Sequence, residues 1–297
     1  MMKLLPVADI IQILSIQSWV SYGHVGNSAS MFPLQMLGAE VWGVNTVQFS
    51  NHTGYGAWSG MVFSGEQILS LVKGVEQRGK MGELSAVLSG YLGAVDIGDA
   101  VLESVRCVRH HAPNAFYCCD PVMGDRGRGM YVADEIPAFF AERALSLADI
   151  ITPNHFELEY LAQSPITTIH AARQAMYQLT RKMHQHGPAI ILATSIKVED
   201  TAEDCLEVLA MDKKGNAFRV ATPDLPFSPT GSGDLASAVF LFHLLAGRTL
   251  QEALKLMVSA IWGVMKKTYE SGKEELQIIA ARNELVHPSR LFFPEAF

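Results

Sequence analysis

The sequence predicts an α/β protein with a mostly parallel central sheet and helices on both faces. Two observations carry this. Apolar runs bounded by turn residues alternate with amphipathic segments through most of the 297 residues. The chain is also 49% hydrophobic and only 18% charged, which supplies enough apolar mass to cover a sheet on both sides. No internal repeat, low-complexity tract or Pro/Ser-rich linker marks a boundary, so a single domain over residues 1–297 is expected.

The elements follow in chain order. Ile10 to Ile16 reads as a buried strand, Asn27 to Leu37 as a helix ended by Gly38, and Val41 to Val47 as a second strand. A helix from about Glu66 to Gln77, a strand through Ala86 to Ser89, a helix through Ala100 to Arg109 and a strand at Phe116 to Cys119 continue the alternation. Beyond an Arg- and Gly-rich loop come a helix around Phe139 to Leu145, a short strand at Asp149 to Thr152, helices after Asn154 and His170, and the strand Ile190 to Ala193. Leu206 to Met211 and Phe218 to Ala221 flank the turn-like DKKGN as a hairpin, and two or three helices complete the chain.

Several classes are excluded by composition and charge. The high hydrophobic share excludes disorder. A net charge of −7 without a basic run argues against a nucleic-acid surface or a polybasic membrane patch. The opening MMKLLPVADIIQILSI is interrupted by Pro6, Asp9 and Gln12, so no signal peptide is expected. The longest apolar stretch, Ala236 to Ala246, is too short to span a membrane and reads as a buried helix. Cys107, Cys118, Cys119 and Cys205 form no C-x-x-C pair, and the vicinal two would face opposite sides of a strand; reduced thiols in a cytoplasmic protein are expected.

In parallel sheets ligands bind beyond the carboxyl ends of the strands, and four loops there are chemically unusual. PTGSGDLASAVFLF opens an apolar helix with glycines around Ser232. Free N–H groups and the positive dipole end make an anion site there, and Asp234 lies in the first turn, where it can accept the proton of an attacking hydroxyl. A plain helix cap explains the same residues equally well. ITPNHFELE sets Asn154 and Glu157 at a helix start, either as a capping box or with Glu157 holding water or Mg²⁺, and the two roles are compatible. YCCDPVMGDRGRGMYV ends a buried strand on Asp120, whose carboxylate calls for a cation. The following Gly124, Gly127 and Gly129 suit a mobile flap, with Arg126 and Arg128 near phosphate or on a solvated tip. NTVQFSNHTGYG offers amides, hydroxyls, His52 and Tyr55 to a small polar heteroaromatic ligand. By contrast, His184 and His186 end a helix and suit the dipole better than a metal, and His110 and His111 likewise end a helix and are expected to face solvent.

SIQSWVSYGHVGN, VQFSNHTGYG, SGY, CDPVMGD, ITPNHFELE, GSGD and the C-terminal EELQII occur together and in order. On these the chain resembles the ribokinase-like superfamily and, within it, the pyridoxal kinases, from about Ile13 onward. The resemblance implies a ribokinase-like fold, a homodimer, and transfer of the γ-phosphate of ATP to the 5′-hydroxyl of pyridoxal, pyridoxine or pyridoxamine. By position it implies Asp234 as base and Gly231, Ser232 and Gly233 as anion hole. Ser18, His52, Thr53, Gly54 and Tyr91 would hold the substrate. Asp120, Thr152 and Glu157 would organise Mg²⁺, a monovalent cation such as K⁺, and the phosphates. Asn154, Thr194, Thr222, Pro223, Asp224 and Leu225 would border the nucleotide.

Three departures from the family's pattern stand out. Ser232 replaces the usual Thr or Val of the Gly-rich turn, Met130 stands where some bacterial members carry a lid cysteine, and Trp19 occupies a position often held by histidine, which bears on vitamer preference. A hydroxymethylpyrimidine kinase is the nearby alternative, disfavoured because those enzymes commonly carry cysteine at the position of Asp234. A vitamer-binding protein without turnover is the alternative from another class, disfavoured by the intact Asp120, Glu157 and Asp234.

Overall fold

Residues 10–297 are described by the computed structural model; the expectation about a signal peptide falls largely on residues 1–9, outside the described residues. β1 (Gln12–Val20) leads through α1 (Asn27–Leu37) to β2 (Glu40–Phe49) and the short β3 (Gly60–Val62). Then come α2 (Gly65–Glu76), β4 (Ala86–Ser89), α3 (Val95–His111) and β5 (Phe116–Cys119). A two-stranded flap, β6 (Gly124–Asp125) with β7 (Gly129–Met130), precedes α4 (Glu135–Phe139), β8 (Ile150–Ile151), α5 (His155–Ala162), α6 (Ile169–Thr180) and β9 (Ile190–Ile196). The chain closes with β10 (Cys205–Met211), β11 (Ala217–Pro223), α7 (Ser232–Leu245), α8 (Leu250–Ser271), α9 (Arg282–Val286) and β12 (Glu295–Ala296).

Ten strands share one sheet in the order β12-β11-β10-β9-β8-β5-β4-β1-β2-β3. The middle, from β9 to β2, is parallel, and both margins are antiparallel. Side chains alternate across it. Along β9, Ile191 and Ala193 join the core under α2 to α6, whereas Ile190 and Leu192 join the core under α1 and α7 to α9. Cys118 and Cys119 divide in the same way, as their adjacency requires, and all four cysteines are free thiols. The expected α/β class with helices on both faces is therefore observed.

α7 is apolar around its whole circumference because α1 and α8 flank it, which accounts for the long apolar stretch. Among the described residues, no helix is long and apolar enough to cross a membrane.

Some boundaries differ for physical reasons. β1 runs on to Val20, through polar residues that satisfy one another inside: Ser15 Oγ donates to Asn27 Oδ1 (2.7 Å) and Gln17 Nε2 to Ser15 Oγ (2.9 Å). The helix expected around Phe139 to Leu145 begins earlier, at Glu135, and after Phe139 passes through a wide π turn over Phe140–Ala144. The wider turn lets the consecutive Phe139 and Phe140 both reach the core. β3, β12 and the flap strands are two or three residues long, too short to show a period.

Candidate active site

The carboxyl ends of β1, β2, β4, β5, β8 and β9 open onto one cavity of about 930 Å³, walled further by the flap, β10, β11 and the segment after it, the start of α7 and one face of α8. Its chemistry is set where α7 begins. Gly231 has φ 86°, and a Cβ there would lie 1.8 Å from the carbonyl oxygen of His24. Only glycine fits, for conformation and space alike. Gly231 to Asp234 line the cavity, and the first helical hydrogen bond here runs from the Leu235 amide to the Gly231 carbonyl, so the N–H groups before it are free for an anion. Ser232 directs its hydroxyl back to the Pro229 carbonyl (3.3 Å), so the departure at this position is absorbed within the turn.

Asp234 follows in the first turn, half-buried, with its carboxylate beside Gly90 at the end of β4 and Gln17 on β1. Burial pushes its pKa up to about 6, with the Gly26 amide pulling the other way. That is a carboxyl poised to take a proton near neutral pH. Gly26, with φ 54°, holds this corner closed, since a Cβ there would strike Ser18 Oγ at 2.4 Å.

Two further carboxyl groups are buried deeper. Asp120, just past β5, is 5% exposed and receives a hydrogen bond from Thr152 Oγ1 (3.1 Å). Thr152 also shares a 2.8 Å hydrogen bond with Ser237 of α7, which ties the end of β8 to that helix. Glu157 is 3% exposed; its Oε1 accepts from the Met123 amide and its Oε2 from the Asn154 amide, both at 2.9 Å. Asn154 caps α5 in return, accepting from the Glu157 amide at 3.0 Å, so the capping box is real and Glu157 lines the cavity as well.

Burial first, then the charges of Glu157 and Asp234, raise the Asp120 pKa well above the ordinary carboxylate range. Burial raises Glu157 to about 7 against the pull of three backbone amides. Two buried carboxyl groups, one of them bonded to the Thr152 hydroxyl, are a hard-oxygen donor set. Asp120, Thr152 and Glu157 thus fit a hydrated Mg²⁺, which would compensate the charge that burial disfavours.

The substrate end is more open. Ser18 is buried, whereas His52, Thr53 and Gly54 belong to an exposed or half-exposed turn after β2. His52 Nδ1 accepts from the Gly54 amide (3.0 Å) and its pKa is lowered, by burial and then by Arg128, so the ring is neutral with its proton on Nε2. Tyr91, half-buried, closes the side next to β4. Trp19 does not line the cavity, so nothing in the wall links it to vitamer preference.

Of the residues expected to border a nucleotide, Thr194, Thr222, Pro223 and Leu225 line the cavity. Asp224 does not; its carboxylate turns outward to Lys197 Nζ (2.7 Å). The flap arginines border the cavity but are engaged by protein. Arg126 donates to the Lys197 carbonyl (3.1 Å) and pairs with Glu159 (3.3 Å), while Arg128 pairs with Asp125 (3.3 Å). Sequence reasoning missed the apolar wall from α8, where Met257, Ile261 and Met265 recur every fourth residue on one face. That spacing was legible, but nothing in it separates a cavity wall from core.

Comparison with known proteins places these features in a family. A model of the phosphomethylpyrimidine kinase family matches residues 71–278. A pyridoxal kinase of Granulibacter bethesdensis is 49% identical over 95% of this chain and 99% of its own length, and one of Rubrobacter xylanophilus is 49% identical over 94% of each. The solved pyridoxal kinase of Leishmania donovani in complex with ADP and pyridoxine superposes with a TM-score of 0.89 at 27% identity, covering 96% of this chain and 99% of that one.

Proposed function

The chain belongs to the phosphomethylpyrimidine kinase family, among its pyridoxal kinases, and from that premise we propose how its residues carry out ATP-dependent phosphorylation of vitamin B6 alcohols. The observation that carries the reading is Asp234, its pKa near 6, one turn from an anion-holding glycine start and beside the deepest carboxyl groups of the cavity. Pyridoxal kinases at 46% to 49% identity favour a B6 alcohol over a hydroxymethylpyrimidine, and the intact acid set favours turnover over binding alone.

In this reading the substrate ring lies among Ser18, His52, Thr53, Gly54 and Tyr91, with its 5′-hydroxyl toward Asp234. Asp234 takes the hydroxyl proton. The freed oxygen electron pair forms the new bond to the γ-phosphorus, and the bond to the bridging oxygen breaks so that ADP leaves with that pair. The N–H groups from Gly231 to Gly233 hold the oxygens of the transferring phosphoryl group while its charge shifts. Asn154, Thr194, Thr222, Pro223 and Leu225 border the nucleotide; Asp224 shapes that rim through Lys197. Asp120, Thr152 and Glu157 would hold Mg²⁺ and a monovalent cation, and the metal supplies charge neutralisation on the phosphates. Flap closure would exclude water from the reacting groups.

The reading extends to the setting. One continuous sheet supports a single domain over 1–297, and free cysteines support the cytoplasm. Trp58, Met61 and Val62, exposed at or near the edge strand β3, support a homodimer, which sedimentation would report as twice the 32.5 kDa chain mass. The test of function is an ADP-coupled assay with ATP, Mg²⁺ and K⁺ on pyridoxal, pyridoxine and pyridoxamine. ADP release and a 5′-phosphate product are expected with at least one vitamer; product from hydroxymethylpyrimidine alone would reverse the assignment.

A further inference from the structure

The segment EELQII, Glu274 to Ile279, has no part in the mechanism above, yet it touches both ends of the cavity. Leu276 and Ile278 are fully buried in the core under α7 and α8, and the Thr268 hydroxyl accepts from the Gln277 amide (3.0 Å), so the segment is rigidly seated. Leu276 lies against Gly231, 3.4 Å from where a Cβ would stand. Glu275, 8% exposed, points the other way, and each of its carboxylate oxygens receives one hydrogen bond. Oε1 accepts from the Tyr55 hydroxyl at 2.6 Å, and Oε2 accepts from the His24 amide at 3.1 Å.

These contacts form a chain of registration. Tyr55 closes the turn that begins at His52, Thr53 and Gly54; the turn's own bonds, from Asn51 Nδ2 to the His52 and Ala57 carbonyls and from the Gly54 amide to His52 Nδ1, are local, and the Tyr55 hydroxyl ties it to a segment 220 positions away. His24 presents its carbonyl to Gly231 from the loop after β1. The carboxylate fills the space beside Gly23, where a Cβ would lie 2.3 Å from Oε2, so a residue with a side chain would displace it. A hydrogen bond from a hydroxyl to a carboxylate at this length is charge-assisted and about twice as strong as a neutral one. It also holds the Tyr55 proton, raising the hydroxyl pKa well above its ordinary value. His24 and His52 both feel the Glu275 charge, and burial lowers the pKa of each.

We propose that Glu275 is a positioning residue that clamps the vitamer-binding turn, through Tyr55, to the His24 loop seated on the anion-hole glycine. Resting on the kinase reading above, it sets the distance between the ring-holding wall and the phosphoryl-transfer end without touching substrate. Losing the clamp loosens the vitamer wall and leaves the nucleotide side in place.

Tyr55→Phe, Glu275→Gln and the double variant test this, with KM for pyridoxal, KM for ATP, kcat and Tm measured for each. Tyr55→Phe keeps the ring and removes one hydrogen bond, so it should fold with Tm lowered by at most a few degrees. Each single variant is expected to raise the pyridoxal KM about five- to tenfold with the ATP KM within about twofold. The double variant should be no worse than Glu275→Gln, because the two share one interaction. An unchanged pyridoxal KM in Tyr55→Phe, a fall in kcat that only tracks lost Tm, or additive effects would each overturn the clamp. Should the wild-type chain show no turnover, the kinase reading fails by itself. Equilibrium binding of pyridoxal to wild type and Tyr55→Phe then still reads the clamp, as the same ratio of Kd values or as none.

Discussion

The start of α7 and the turn after β2 face the same cavity and are held in opposite ways. At α7 the chain has no freedom: Gly231 is jammed against His24, Ser232 returns to Pro229, and Ser237 is bonded to both Thr152 and the Gly233 carbonyl. Thr53, Gly54 and Tyr55 are exposed, and side-chain bonds do most of the holding. Groups that handle charge in the reaction need fixed positions, because their worth depends on being oriented before the charge appears. Groups that receive an exchangeable small molecule need a wall that opens. The flap belongs with the second kind.

The sharpest test of the rigid end is Asp234. Asp234→Ala is expected to lower kcat about 10³-fold and leave pyridoxal binding within a few-fold of wild type, the range of a lost general base. In the wild type the rate should fall about tenfold per pH unit below the Asp234 pKa of about 6, because the carboxyl must be ionised to take the proton. Stability runs the other way. The folded protein holds this proton more tightly than the unfolded chain, whose group titrates near 3.8, so the stabilising proton is fully present below about pH 4 and is lost as the pH rises through about 6. Asp234→Asn should therefore raise Tm at pH 8 by a few degrees, a gain that disappears near pH 4. A variant slower at pH 8 but no more stable would remove burial as the origin of the raised pKa.

Gly231→Ala comes next in size. It places a methyl group on the His24 carbonyl and forces φ 86° on a residue with a Cβ, so a loss of about 2 kcal/mol in denaturant unfolding and about 10² in kcat is expected. A folded variant with normal kcat would show that the turn tolerates displacement, and the contrast with the substrate turn would collapse.

What the sequence made legible follows this contrast. The rigid end is written in local chemistry: glycine, an apolar run and an acid in the first turn identify α7 and Asp234 without neighbours, and Asn154 with Glu157 announce a capping box that the structure keeps. Cavity membership of the loops after β1, β2, β4, β5 and β8 followed from the parallel order of their strands. Glu275 was not legible as a clamp, because its partners lie 220 and 251 positions away and nothing near it in sequence differs from an ordinary surface acid. Asp224 and Trp19 show the converse. Each sits in a segment that borders the cavity, but Asp224 turns out to Lys197 and Trp19 does not reach the wall, and such orientations are decided by tertiary neighbours.

The smallest effect is expected at the flap, and it tests whether the flap belongs with the open wall. Arg126 holds the loop between β6 and β7 through Glu159 and the Lys197 carbonyl, two contacts in solvent where an ion pair contributes at most about 1 kcal/mol. Arg126→Ala should therefore raise the ATP KM less than about fivefold with little change in kcat. Because exposed pairs are screened, about 0.5 M salt should weaken wild type toward the variant and barely affect the variant itself. A loss of tenfold or more in kcat, insensitive to salt, would mean that Arg126 leaves Glu159 to meet the transferring phosphate. The flap would then share the fixed electrostatics of the α7 start, and its ion pairs would be the resting state of a catalytic arm.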